Sequence, residues 1–135
     1  MNPEYADFLA NKAPRAQFFG IEPMEMPDHL FDFQADTARF MLRAGRAAGF
    51  LDTGLGKGRT ALECLTQAGK ATNGVSLHLV PLAVGRQIEI EGRALGYNIR
   101  VIKGMDDVRT GINVCNYDRL SMLEPSAFGA VSLDE

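Results

Sequence analysis

Apolar positions in this chain fall into short runs punctuated by glycine, proline and charge, and their spacing alternates between helical and extended. Residues 3 to 13 predict a short helix: Pro3 suits a first turn, and Tyr5, Phe8 and Leu9 share one face. Residues 14 to 27 are irregular, with Gly20, Pro23 and Pro27 among Phe18, Phe19 and Ile21. They predict an ordered arm laid over the domain, in which the two phenylalanines pack. Asp28 is placed to cap a helix over 29 to 45, where Phe33, Thr37, Phe40 and Met41 form one stripe. The apolar run 47 to 51 predicts a buried strand. Glycines at 54, 56 and 58 break it, and Ala61, Leu62, Leu65 and Ala68 resume at helical spacing.

The second half repeats this alternation. A turn over 69 to 74 leads to a strand at 76 to 80 that stops at Pro81. A helix over 83 to 95 follows, with Val84, Ile88 and Leu95 inward and Gly96 at its end. Strands are predicted at 98 to 102 and 111 to 117, then a short helix near 118 to 122. A last strand covers Val131, Ser132 and Leu133, before Asp134 and Glu135. Strands alternating with helices predict an α/β fold with a mostly parallel sheet flanked by helices, its ligands at the strands' carboxyl ends. The chain divides into an N-terminal helix and arm over 1–27 and one lobe over 28–135.

Composition narrows the partners. The 135 residues suffice for one core, and 46% apolar with 23% charged residues is ordinary for a globular protein. A net charge of −3 leaves no overall basic footprint, so a nucleic acid would be gripped by a local groove or by backbone amides. Cys64 and Cys115 lie far apart with no C-x-x-C pair, and read as buried reduced thiols. His29 and His78 have no evident partner, and read as a surface and a core-edge residue. No apolar run approaches the roughly 20 residues of a membrane span, and Glu4 and Asp7 argue against a signal peptide.

The chemistry concentrates at Asp52-Thr53-Gly54-Leu55-Gly56-Lys57-Gly58-Arg59-Thr60. A glycine turn opening a helix lets backbone N–H groups approach a phosphate, and the helix dipole favours the anion. Lys57 would add a full positive charge at the β- and γ-phosphates, as a P-loop lysine does. The same letters also spell D-x-G-x-G-x-G, which resembles the glycine turn of class I S-adenosylmethionine methyltransferases. Such an enzyme needs an acid at the end of the second strand to hold the ribose. The letters there are Ser76-Leu77-His78-Leu79-Val80-Pro81, with no Asp or Glu. A P-loop protein instead needs a later strand ending in Asp-Glu, and Val131-Ser132-Leu133-Asp134-Glu135 supplies one.

With those residues assembled, nearly the whole chain resembles the first RecA-like lobe of superfamily-two DNA helicases and translocases, specifically the Swi/Snf-like helicases of phages and prophages. Leu30-Phe31-Asp32-Phe33-Gln34 is similar to the glutamine motif, and residues 52 to 57 to motif I. Val80-Pro81-Leu82-Ala83-Val84 is similar to motif Ia, Asn116-Tyr117-Asp118-Arg119-Leu120 to the motif Ib region, and Leu133-Asp134-Glu135 to the start of motif II.

The resemblance implies a P-loop NTPase fold, ATP and Mg²⁺ as cofactors, DNA as the partner and a cytoplasmic setting in a bacterium or phage-infected cell. Gln34 would read the adenine edge. Thr53, Gly54, Leu55, Gly56, Lys57, Gly58 and Arg59 would surround the phosphates. Asp134 would hold the metal, and Glu135 would polarise the attacking water. Pro81, Leu82, Asn116 and Tyr117 would touch the nucleic-acid backbone. Two departures stand out. Gly58 replaces the Ser or Thr that supplies a Mg²⁺ ligand, and Thr60 lies two positions too late. The resemblance also implies a further strand beside the phosphate-loop strand and a second lobe bearing an arginine finger, neither of them within these residues. The expectation is an incomplete first lobe that binds nucleotide without turning it over at a motor's rate. The alternatives are the methyltransferase and a non-catalytic nucleotide-binding module.

Overall fold

In the computed structural model, which describes residues 2–12, 18–52 and 54–134, four parallel strands form one sheet. The helices are α1 (Pro3–Lys12), α2 (Asp32–Ala44), α3 (Lys57–Lys70) and α4 (Gly85–Ala94). The strands are β1 (Val75–Val80), β2 (Ile99–Val101), β3 (Gly111–Asn116) and β4 (Ala130–Leu133), in the order β2-β3-β1-β4. Short 3-10 turns occupy Met105–Asp107, Tyr117–Met122 and Pro125–Ala127. The fold is therefore α/β, with an all-parallel sheet and helices packed on it.

The pleat explains the core. Alternate residues of a strand face opposite sides, so an interior strand covered on both faces reads as one apolar run. Val80 of β1 joins Leu62 and Leu65 of α3, with Ile99, Ile112 and Val114, in one cluster. Leu77 and Leu79 face the other way, onto Ile102, Cys115 and Leu123. Helices α3 and α4 cover the first face, and the 3-10 turns with Met105, Val108 and Phe128 cover the second.

Polar groups fix the register at the amino ends of the strands. The Asn113 side chain, fully buried in β3, donates to the carbonyls of Ser76 (3.1 Å) and Arg109 (2.9 Å). Its Oδ1 accepts from the Arg109 N–H and the Arg100 guanidinium, each at 3.1 Å. One side chain thus ties three strands and the turn before β3.

Several expected details differ. The helix expected from 29 begins at Asp32, after a turn containing Asp28, and Phe31 precedes its first residue without a side-chain cap. Its buried face is Gln34, Ala35, Ala38 and Leu42, not the stripe through Phe33 and Phe40, both of which are exposed. Small residues let α2 lie close on α3, and that close approach outweighs the larger apolar stripe. Of the arm expected over 14 to 27, residues 14–17 lie outside the described residues, and residues 18–27 form an irregular segment laid against α2. Its Phe19, Gly20 and Ile21 N–H groups donate to the Ala44, Arg43 and Leu42 carbonyls, satisfying the end of α2. Phe18 and Phe19 are nevertheless exposed, as is every residue of α1.

The buried strand expected over 47 to 51 is absent. That segment joins no ladder, and Phe50 is 94% exposed. A strand needs a partner's backbone groups, and the sheet ends at β4, whose outer side pairs with no described residue.

Replacing Asn113 with Ala strips these partners inside the sheet. The expected loss is about 2–4 kcal/mol of unfolding free energy. Urea denaturation measures it, and a loss of a few tenths would show that the turn before β3 holds without the amide.

Candidate functional site

Helix direction places the glycine loop. The Ser76 hydroxyl donates to the Leu65 carbonyl at 2.7 Å, and the Gly74 N–H donates to the Gly69 carbonyl at 2.8 Å. The end of α3 therefore lies beside the start of β1. From Leu65 back to Lys57 is about 12 Å of helix, and from Ser76 on to Val80 is about 13 Å of strand. The start of α3 is thus level with the carboxyl end of β1.

The loop is built on two left-handed glycines. Gly54 has φ +83° and Gly56 φ +72°, values that other L-residues rarely adopt. Gly56 is constrained a second time, because a Cβ there would lie 2.2 Å from Gln34 Nε2. Gln34 is buried beneath the loop, donating to the Leu55 carbonyl at 2.9 Å and accepting the Phe31 N–H at 3.0 Å. One amide thus joins the arm, α2 and the loop. Above the loop there is room: Cβ atoms built on Gly54 or Gly58 meet nothing within 4 Å. The first N–H bonded back into α3 is that of Thr60, to Gly56, and the N–H groups of Gly58 and Arg59 have no partner among the described residues.

The other expected site residues gather at the same sheet end. Val80 and Asn116 are opposite one another in register, so Pro81 and Tyr117 follow side by side. Leu82 is 72% exposed, and the Tyr117 hydroxyl donates to the Asp134 carbonyl. Burial and the Asp134 carboxylate push the Tyr117 hydroxyl up. Asp134 closes β4, its N–H donating to the Leu79 carbonyl at 2.8 Å. Arg59 is exposed and donates to the His29 carbonyl at 3.4 Å. Thr53 and Glu135 lie outside the described residues.

A phosphate fits this loop: there is open space, paired glycines and unpaired N–H groups at a helix start. For Mg²⁺ the carboxylate that the helicase resemblance names among the described residues is Asp134. The Thr60 hydroxyl is buried and points back to the Gly56 carbonyl, at 3.5 Å, so it does not replace a hydroxyl at position 58. Among the described residues no group of three or more His, Cys, Asp or Glu side chains could hold a metal by itself.

Two features had no signal in the sequence. His29 has a partner 68 residues away, Tyr97, whose hydroxyl lies 3.0 Å from Nε2 and donates to Glu63 at 2.8 Å. Glu63 in turn accepts from Gln67, whose Oε1 accepts the Met24 N–H at 2.7 Å. This buried network holds the arm to α3. Phe31 and Phe33 stack with centroids 6.2 Å apart, both exposed beside Gln34. Burial disfavours the reactive thiolate at both cysteines. Burial, reinforced by the Glu63 charge, pushes Cys64 up to about 12, and burial also raises Cys115. No protein-family model matches the chain, and no curated protein matches it significantly. No helix among the described residues is long and apolar enough to cross a membrane.

Gln34→Ala leaves the Phe31 N–H and the Leu55 carbonyl without their partner. It is expected to cost about 1–2 kcal/mol and to speed exchange of the Phe31 amide hydrogen in solution NMR. Unchanged exchange would mean that the loop and arm hold without this brace.

His78 supplies a pH test. It is buried in β1 and its Nδ1 has no partner among the described residues; burial lowers its pKa, against the opposing effects of Asp134 and the Ser132 backbone. Below the ordinary value of about 6.5, the unfolded chain takes up a proton that the native state resists. The stabilising contribution is therefore complete above that pH and is lost as pH falls through the window below it. Urea midpoints at pH 7.5 and 5.5 should diverge less in His78→Gln than in the parent. An equal divergence would exclude His78 as the source.

Proposed function

We propose that the chain is the ATP-binding part of a DNA helicase or translocase. The reading rests on one arrangement: a glycine loop opening α3 lies at the same end of a parallel sheet as Asp134. The Pro81–Leu82 and Asn116–Tyr117 pairs flank that end. In this reading Lys57 and the N–H groups of Gly58 and Arg59 hold the phosphates. Phe31 and Phe33 offer an apolar face to the base, and Gln34 braces the loop from below while keeping one amide hydrogen for the adenine edge. Asp134 would carry the metal, which when bound neutralises phosphate charge, and Glu135 would orient water. Leu82 and Tyr117 would meet the nucleic-acid strand.

The lining of the β1 end supports a nucleotide over S-adenosylmethionine. That strand closes on Leu79-Val80-Pro81, leaving no carboxylate from it to grip ribose hydroxyls.

Calorimetric titration separates the two ligands. ATP or ADP should bind, Lys57→Ala should weaken it by about tenfold or more, and S-adenosylmethionine should give no heat. Tight S-adenosylmethionine binding without nucleotide binding would overturn the motor reading.

A further inference from the structure

We propose that the cleft between α4 and the edge strand β2 is a binding site for phosphate oxyanions, separate from the glycine loop. The cleft encloses about 640 Å³ and is lined by Arg86, Glu89, Arg100, Lys103, Asp107 and Arg109.

Its charges are positioned but not neutralised. The Arg100 guanidinium gives its four Nη hydrogens to neutral acceptors: the Arg109 and Thr110 carbonyls at 3.2 and 2.8 Å, Asn113 Oδ1 at 3.1 Å and Asn98 Oδ1 at 2.6 Å. No carboxylate pairs with it among the described residues. Arg109 is held similarly, its Nη1 donating to the Asp106 and Val108 carbonyls at 2.8 and 2.7 Å. The Nη2 and Nε edge of that guanidinium has no partner among the described residues and is open to a ligand. Lys103 makes no ion pair among the described residues.

The two carboxylates are already engaged. Glu89 is 4% exposed, and it accepts the Val101 N–H at 2.6 Å together with Arg86 and Arg93. Asp107 accepts the Lys103 N–H at 2.9 Å. Of the four cations lining the cleft Arg86 is paired with Glu89, and Arg100, Lys103 and Arg109 face the one remaining carboxylate, Asp107, in a chain whose overall charge is −3. Burial lowers the Arg100 pKa, and repulsion from Arg93 and Arg109 lowers it further, with only Glu89 opposing. Such a cluster is relieved by a multivalent counter-ion. A guanidinium edge and an ammonium drawn from different segments suit the several oxygens of a phosphate better than a single carboxylate.

Phosphate oxygens come either on a nucleic-acid backbone or on a small phosphate, and two probes distinguish them. The 135-residue chain is titrated with inorganic phosphate by calorimetry, and with fluorescein-labelled single-stranded DNA by anisotropy. Both titrations are repeated in Lys57→Ala, so that the contribution of the glycine loop is reduced. Failure of the motor reading would appear as no nucleotide binding and leaves this site untouched. The double variant Lys103→Gln/Arg109→Gln should weaken binding by about tenfold or more. For DNA it should flatten the slope of log affinity against log salt by about 1.4, the value for two lost single-strand contacts. Arg39→Gln, an exposed pair on α2, should change neither.

Loss confined to DNA assigns the backbone as the ligand, and loss confined to inorganic phosphate assigns a small phosphate; both support the site. No binding of either probe, or binding indifferent to the double variant, overturns it. A readout on the parent protein covers the case of a variant that fails to fold. Bound phosphate or DNA should protect the Lys103 amine from acetylation, scored by mass spectrometry against exposed Lys12. Equal acetylation with and without both probes also overturns the proposal.

Discussion

Everything at the carboxyl end of the sheet depends on how closely α3 lies on β1. A Cβ on Gly69 would come within 2.5 Å of the Ser76 hydroxyl oxygen, and that hydroxyl reaches across to the Leu65 carbonyl. The helix is thereby held antiparallel to the strand and close to it. Leu62 and Leu65 meet Val80, Ile112 and Val114, and the first turn of α3 emerges at the height of Pro81. A bulkier residue at 69 would tilt the helix away, and the glycine loop would lose its position relative to Asp134.

The second support comes from the arm. Two polar systems tie it down: Gln34 beneath the loop, and the chain from Met24 through Gln67 and Glu63 to Tyr97 and His29. Tyr97 has one hydroxyl hydrogen, which goes to Glu63, so His29 Nε2 must carry the hydrogen it shares with the tyrosine oxygen. That tautomer leaves His29 Nδ1 as an acceptor, buried and without a partner among the described residues. Buried polar systems of this kind tolerate little change, because each lost partner strands another group in a low-dielectric interior. They place the arm and its stacked phenylalanines at the side of the loop.

Charge is also distributed by the fold rather than by composition. A chain of net −3 collects Arg86, Arg93, Arg100, Lys103 and Arg109 along one sheet edge. Edge strands need protection against pairing with other chains, and positive charge on β2 provides it. β4 has no such protection: Val131 and Leu133 are exposed on it, beside an outer edge that no described residue pairs.

What the sequence determined by itself was the alternation of helices and strands from residue 57 onward and the position of the glycine turn before it. The runs 75–80, between Gly74 and Pro81, and 111–116, opened by Gly111, read as short buried strands, and glycines 54 and 56 mark a turn that other residues resist. Those signals are local, carried by periodicity and by backbone freedom. Only the tertiary structure decided the rest. Residues 47 to 51 are as apolar as the true strands, but a strand exists only where a neighbour offers its backbone, and no described residue does so here. The buried face of α2 was set by the close fit of Ala35 and Ala38 on α3, not by the larger side chains. The partners of His29, Gln34 and Arg100 lie from 2 to 68 residues away, and most are backbone carbonyls or amides. Backbone groups are the same at every position, so no pattern of side chains announces which of them a buried polar residue will meet.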